Sequence, residues 1–451
     1  MSMSIKAAFA RALPEPMLRL IGLLSLAAHV LLYLTVPDIG SAALGVLIIA
    51  SALLIALHVD KAQLRDGIRF VKIPLLLFLA ALLIQVISWI GSLDLEKQYV
   101  EDIPKLDRLA RWFVFIVVLF WLCEHSARIF AFWSLSLAGC LIAPWITGNG
   151  LDEFILGLQG ERVDFGIRNA QHTGMLFGIG LLGLCIFYRR IVHGGPRTFL
   201  RLTLWLIPFL ICLLGTIITQ TRGVWIALAV ALVLGIVSLF SLMLSGRMSL
   251  IKSHASKSRG IALSITLITA TAILAVSSER AMNRLELEMN TVKKAWSEGV
   301  GSIPFNSAGV RLHTWSSAGD WIEQKPLFGW GKLGSIMLIQ ESETLPPRIK
   351  RRYGHLHSTY LDMLVQHGSV GLLLMFLLYG WVIHKVVQAW RTGRANTDIL
   401  IFTMAFFSYW LIANLFESFM LYSTGRFAFN IVVAGLLAVV YQRASSPQRS
   451  T

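Results

Sequence analysis

His357 and Ser358 stand at the threshold of a hydrophobic run, in the stretch HLHSTYLDMLVQHGSVG from His355 to Gly371. Thr359 and Asp362 have the spacing of a capping box, which predicts a helix start there and places His357 beside the positive end of a helix dipole. Such a site disfavours imidazolium, and a neutral imidazole can take a proton as a general base. A lone histidine is as well suited to bonding a loop carbonyl, so the chemistry rests on its companions. Arg222 in TQTRGVW, Arg162 and Arg168 in GERVDFGIRNAQHTG, and Arg311 in VRLHTWSSAGDWIEQ are arginines in or beside turns at the same level of the chain's apolar segments. Guanidinium forks suit phosphate oxygens bidentately, and an arginine at a membrane edge needs a partner, a Glu or a lipid phosphate being the plainest one. One base and convergent positive charge are what transfer from a phosphorylated leaving group to a hydroxyl requires.

The elements that must position these groups are membrane helices. Of 451 residues, 56% are hydrophobic and 14% charged, with a mean hydropathy of +0.68, which excludes an ordinary soluble domain. A hydrocarbon core of about 30 Å needs roughly 17 to 25 apolar residues per helix. Twelve such runs are legible, near 17–36, 40–58, 73–91, 109–123, 127–147, 171–188, 202–220, 223–245, 260–277, 369–388, 398–418 and 426–442. Lys and Arg gather after the second, sixth, eighth and tenth runs, for instance Lys61, Arg65, Arg189, Arg190, Lys257 and Lys385, and by parity these ends share one side. The positive-inside rule makes that side, and both termini, cytoplasmic. The net charge of +15 is absorbed by this topology and by anionic lipid, with no nucleic acid partner. The first run is too long for a signal-peptide core and is read as a helix. Cys123, Cys140, Cys185 and Cys212 lack metal or disulfide spacing and are read as packing residues.

The organisation divides into helices 1–9 over residues 1–277, a long outer loop over 278–368, and helices 10–12 with a tail over 369–451. A connection this long is usually functional. RAMNRLELEMNTVKKAWSEG within it carries Met282, Leu285, Met289, Val292 and Trp296 on one stripe and predicts an amphipathic helix at the membrane surface. A second helix is expected over VRLHTWSSAGDWIEQ, stopped by the Pro and Gly residues of KPLFGWGKLG, with Trp315, Trp321, Phe328 and Trp330 suited to stacking on a sugar or, as Trp enrichment there favours, to the membrane interface. If the helix beyond His357 is continuous, Leu361, Leu364, Gly368 and Gly371 share its face, the glycines admitting another helix or a lipid chain. Asp94 and Glu96 form an outer acidic pair that could hold a divalent ion, but arginines can do that work, so no metal is expected and the pair reads as a solvated loop.

His357 and Ser358, nine residues, then Gly368, two residues and Gly371 form an H-[NSQ]-x9-G-x-x-G pattern, preceded in order by TRG after a membrane helix and by RLHTWSSAGDWIEQKPLFGWG. Over about residues 160–371 this resembles the bacterial O-antigen ligase and polymerase superfamily, and twelve helices with a large loop between the ninth and tenth are most similar to the O-antigen ligases. The resemblance implies an all-α, GT-C-type multi-pass protein of the inner membrane with its active site facing the periplasm. It implies transfer of O-antigen polysaccharide from undecaprenyl pyrophosphate to lipid A-core oligosaccharide, without a cofactor. His357 would be catalytic and Arg222 and Arg311 would bind the diphosphate, with Arg168 and Arg162 assigned by local similarity and His355, Ser358 and Asp362 as supporting residues. A single displacement at the anomeric carbon would invert configuration. An O-antigen polymerase or an O-linked protein glycosyltransferase fits the same pattern with another acceptor. A transporter is the rival of a different class, but no paired halves are visible.

Overall fold

The structure is a computed structural model and describes residues 12–123, 126–193, 195–244 and 279–445. Among these residues it is all-helical. Eight helices are long and apolar enough to cross a membrane: α1 Glu15–Leu32, α2 Pro37–Leu57, α3 Lys61–Ile90, α5 Ser126–Thr147, α7 Thr198–Ile218, α12 Thr359–Arg391, α13 Thr397–Phe416 and α14 Ser423–Ser445. Two shorter apolar helices join them, α6 Ala170–Ile186 and α8, which runs over Arg222–Leu244. The expected run at 260–277 lies outside the described residues.

The run at 109–123 departs from a single span. It breaks into Asp107–Ala110, a 3-10 turn at Arg111–Phe113, and α4, Phe115–Leu122. Two buried amides make the break tolerable. Asn430 accepts from the Phe115 N–H at 2.7 Å and donates to the Arg111 carbonyl at 2.9 Å, and Gln85 accepts from the Leu109 N–H and donates to the Leu106 carbonyl. Backbone freed inside an apolar bundle survives where side chains re-satisfy it.

Burial ranks the helices. In α14, 83% of the spanning window is buried against 22% in α3, so α14 is the central post and α3 faces outward. Phe429, Val433, Ala434, Leu436 and Leu437 of α14 are fully enclosed, and helices with apolar residues all round belong at such a position. α1 packs on α2, α6 on α7, and α8 on α13.

The segment that precedes α12 forms a small lobe with its own core of Val310, Ala318, Ile339, Leu345, Ile349 and Leu356. Its helices are α9 Glu279–Glu298, α10 Ser307–Gln324 and α11 Gly334–Glu341. Asn306 caps α10 by accepting from the Gly309 N–H and donates to Thr291 Oγ1 of α9. Met289, Val292 and Trp296 of α9 point outward, Trp296 at 94% exposure, while Thr291 faces in. Trp315, Trp321 and Trp330 are partly buried. They pack against the lobe core, Trp315 donating to the Leu356 carbonyl and Trp330 to the Trp321 carbonyl, because buried indole N–H groups need acceptors that the loop backbone supplies.

Candidate active site

α12 is not one continuous helix. Gly368 has φ +65° and ψ −168°, so the two faces of α12 are offset and the common stripe from His357 to Gly371 does not form. The break exposes backbone groups that the turn after α10 satisfies. The Trp330 and Gly331 N–H groups donate to the Val365 and Gln366 carbonyls, and the Ser369 and Val370 N–H groups donate to the Pro326 and Leu327 carbonyls. Gly368 thus admits the backbone of Leu327 and Phe328, while Gly371 faces His367 and Met363 of its own helix. A Cβ on Gly368 would stand 2.2 Å from the Leu327 carbonyl, and the left-handed backbone adds on the order of 1–3 kcal/mol for a side-chain-bearing residue. Gly368→Ala is therefore expected to lower the thermal unfolding midpoint markedly, whereas Gly380→Ala, whose Cβ would meet nothing, should change stability by no more than about 0.5 kcal/mol. Equal midpoints for the two variants would show that the docked turn does not hold the break.

This docking fixes the loop that carries His357. Ser358 is the N-cap residue of α12, but its side chain makes no capping bond, so the expected capping box is absent. Asp362 is turned to tertiary partners instead. Its carboxylate accepts from Ser335 Oγ, Ser418 Oγ and the Leu356 N–H, tying α11, the 355–358 loop and the segment after α13 together. Thr359 donates to Asn414 of α13. Held from both sides, His357 adopts φ +51°, a conformation rare for a residue with a side chain and one that persists only where its surroundings impose it.

The partner of His357 is Glu417, which the sequence did not single out. α13 ends at Phe416, and Glu417 follows in extended conformation with its side chain 1% exposed. Its Oε2 lies 3.1 Å from His357 Nδ1 and its Oε1 lies 2.9 Å from His355 Nε2 and 2.9 Å from the Ser418 N–H. Burial opposes the carboxylate charge, yet the hydrogen bonds from His355 and His357 hold it well below the usual range. Burial also lowers the His357 pKa, and this outweighs the bond to Glu417, which raises it. Burial therefore favours the neutral imidazole. With Nδ1–H donated to Glu417, Nε2 keeps a lone pair, and the ring is 17% exposed and so reachable from outside.

Gln171 links this dyad to an arginine. Asn169 caps α6 by accepting from the Gln171 and His172 N–H groups. In the orientation its neighbours require, the Gln171 amide donates to Glu417 Oε2 and accepts from Arg311 Nη2 at 3.0 Å. Arg311 also donates to the Phe416 carbonyl at 3.4 Å, while its buried Nε makes no hydrogen bond among the described residues. Arg222, the first residue of α8, is ion-paired through Nη1 with Glu288 Oε2 of α9 at 2.5 Å. The pair is close enough for strong attraction but misaligned as a hydrogen bond, since the same Nη1 satisfies no hydrogen-bond geometry; the short separation decides for an ion pair. Arg168 stacks on the Tyr422 ring at 3.6 Å, Tyr422 meets His355 edge-on, and the His355 and His357 rings are tilted against each other with centroids 4.1 Å apart. Arg162 donates to the Thr219 carbonyl and so braces the turn before Arg222. Arg311 and Arg168 thus flank the His–Glu centre, while Arg222 lies within electrostatic reach of Arg311.

His355, His357 and Glu417 are also the one group among the described residues whose ligand atoms converge as a metal site would, all within 4.8 Å. The acidic pair at 94–96 does not do so: Asp94 lies 3.9 Å from Lys325 and is exposed, and Glu96 accepts from Gln98. In the three-residue group both imidazoles are already engaged by the carboxylate they would share a metal with, beside a guanidinium.

Residues 207–376 match the protein family described as O-Antigen ligase. The match takes in Arg222, Arg311, His357 and the Gly368 break, and stops before Glu417. No curated protein matches the chain.

Proposed function

We propose that this multi-pass membrane protein, which carries a domain of the O-antigen ligase superfamily, transfers O-antigen polysaccharide from undecaprenyl pyrophosphate to lipid A-core oligosaccharide. The observation that carries the proposal is a neutral, strained, partly open histidine oriented by a buried carboxylate and flanked by arginines at one end of an apolar helix bundle. In the reaction, Nε2 of His357 accepts the proton of the acceptor hydroxyl, whose oxygen attacks the anomeric carbon. The bond from that carbon to the diphosphate breaks, and undecaprenyl pyrophosphate departs with its negative charge held by Arg222 and Arg311, with Arg168 next to them. A carboxylate hydrogen-bonded to the far nitrogen fixes the imidazole tautomer and stabilises the imidazolium that forms. The transfer is a single displacement, so it inverts configuration, and the arginines supply the charge that a metal would.

This reading puts the site at the periplasmic face of the inner membrane, both termini in the cytoplasm, and the chain among GT-C-type enzymes. Deleting the gene in its host and examining lipopolysaccharide tests it. Bare core with accumulated polyprenyl-linked long chains is the expected result. A core capped with one repeat would make the enzyme a polymerase, unglycosylated target proteins would make it a protein glycosyltransferase, and unchanged glycans would favour a transporter. With the purified enzyme, transfer should survive EDTA; its loss and rescue by a divalent ion would assign the three-residue group to a metal.

Glu288 sits where a donor phosphate would meet Arg222. The Arg222–Glu288 side chains are 23% and 29% exposed, so the pair contributes at most about 1 kcal/mol. Glu288→Gln should leave the fold intact and lower the donor concentration for half-maximal rate, by up to about fivefold. A higher donor requirement in that variant would mean that Glu288 orients Arg222 for its ligand.

A further inference from the structure

At the end of the bundle opposite His357 lies a cavity of about 1250 Å³ between α5, α6, α7 and α14. It begins at the N-terminal ends of α5 and α7 and runs inward past Trp133 and Leu137 to Phe427. Its walls are almost wholly apolar, and its mouth is lined by Arg190, Arg197 and Arg201. These three differ in their commitments. Arg190 makes a bidentate pair with Asp398 at 2.7 to 3.0 Å and is neutralised. Arg201 gives one nitrogen to the Ile191 carbonyl, and Arg197 is exposed in a left-handed turn at φ +62°. Two cationic groups therefore stand over a deep apolar slot that opens between membrane-spanning helices.

We infer that this cavity binds an anionic phospholipid, its acyl chain between α5 and α7 and its phosphate at Arg197 and Arg201. Apolar depth without charge at the mouth would accept any lipid, and arginines without depth would gather headgroups loosely. The combination selects a negatively charged, chain-bearing molecule, and basic pockets between membrane helices are suited to such headgroups. Because the slot is separate from the His357–Glu417 centre, the inference does not depend on the transfer chemistry.

The test is native mass spectrometry of the full-length protein from mixed micelles holding equal phosphatidylglycerol and phosphatidylcholine. Preferential retention of phosphatidylglycerol is expected. The double variant Arg197→Gln, Arg201→Gln should lose the preference, each arginine accounting for about fivefold in affinity. Gly183→Leu should lose retention of both lipids with the arginines untouched, since Gly183 lines the slot and a Cβ there meets only Phe402, at 3.8 Å. Ser134→Leu fills the slot from α5 and serves if the first variant unfolds. Preference surviving a filled slot would overturn the inference in favour of surface attraction. Equal retention of the two lipids would overturn it as well, as would preferential retention of undecaprenyl phosphate over phosphatidylglycerol when undecaprenyl phosphate is added to the same micelles.

Discussion

His357→Ala should reduce glycan transfer by about 10²- to 10⁴-fold, the usual contribution of a positioned general base, in protein that keeps its wild-type unfolding midpoint. His355 cannot substitute, because its nitrogen nearest the centre is spent on Glu417. The pH profile identifies the group. Transfer needs neutral His357, whose pKa is lowered from 6.5 by burial, so the rate should be level above pH 6.5 and fall only as pH drops through the lowered value. Glu417→Gln removes the anion that favours imidazolium. It should slow transfer and move the acid limb to still lower pH. The folded protein takes up this proton less readily than the unfolded chain, so stability too is complete above pH 6.5 and declines below it. Near-wild-type turnover by the alanine variant would remove His357 from the mechanism, and an acid limb shifted upward in Glu417→Gln would remove the dyad.

Arg311 and Arg222 should show the next largest effects, about 10²- to 10³-fold on turnover for alanine if each stabilises the departing diphosphate. Lysine keeps charge but loses the rigid fork, so Lys variants should fall between wild type and Ala. A contact that strengthens as the leaving oxygen gains charge lowers turnover, and one made equally to bound donor raises the donor requirement. Both are expected, with turnover dominant. Arg311→Ala additionally removes the cation that meets Gln171 and the Phe416 carbonyl. Arg311→Lys with an unchanged midpoint therefore separates leaving-group binding from support of the Glu417 loop. If Lys and Ala at Arg222 unfold the protein alike, that arginine is an anchor to Glu288. If all variants are stable and fully active, the diphosphate site lies elsewhere, with Arg168 the next residue to test.

Hydrophobic run length was legible in the sequence because it is a property of contiguous residues. Most of the apolar runs form helices, the one at 109–123 being broken, and the spacing from His357 to Gly371 marks a histidine ahead of paired glycines. What faces those residues was not legible. Glu417 is sixty residues beyond His357 and reads in sequence as an ordinary acid at a helix end; Gln171 reads as an ordinary first-turn amide. Only the packing of α6, α12 and α13 brings them to one carboxylate, because partners across a bundle are chosen by helix ends meeting in space and not by spacing along the chain. The same holds for Gly368. Two glycines suggest close approach, but the group that approaches Gly368 is the backbone of Leu327 and Phe328, and backbone hydrogen-bond demand at a helix break carries no side-chain signature. Burial of the His357 ring is of the same kind: a helix start is local and can be inferred from the sequence, whereas burial is set by every element that closes over the ring.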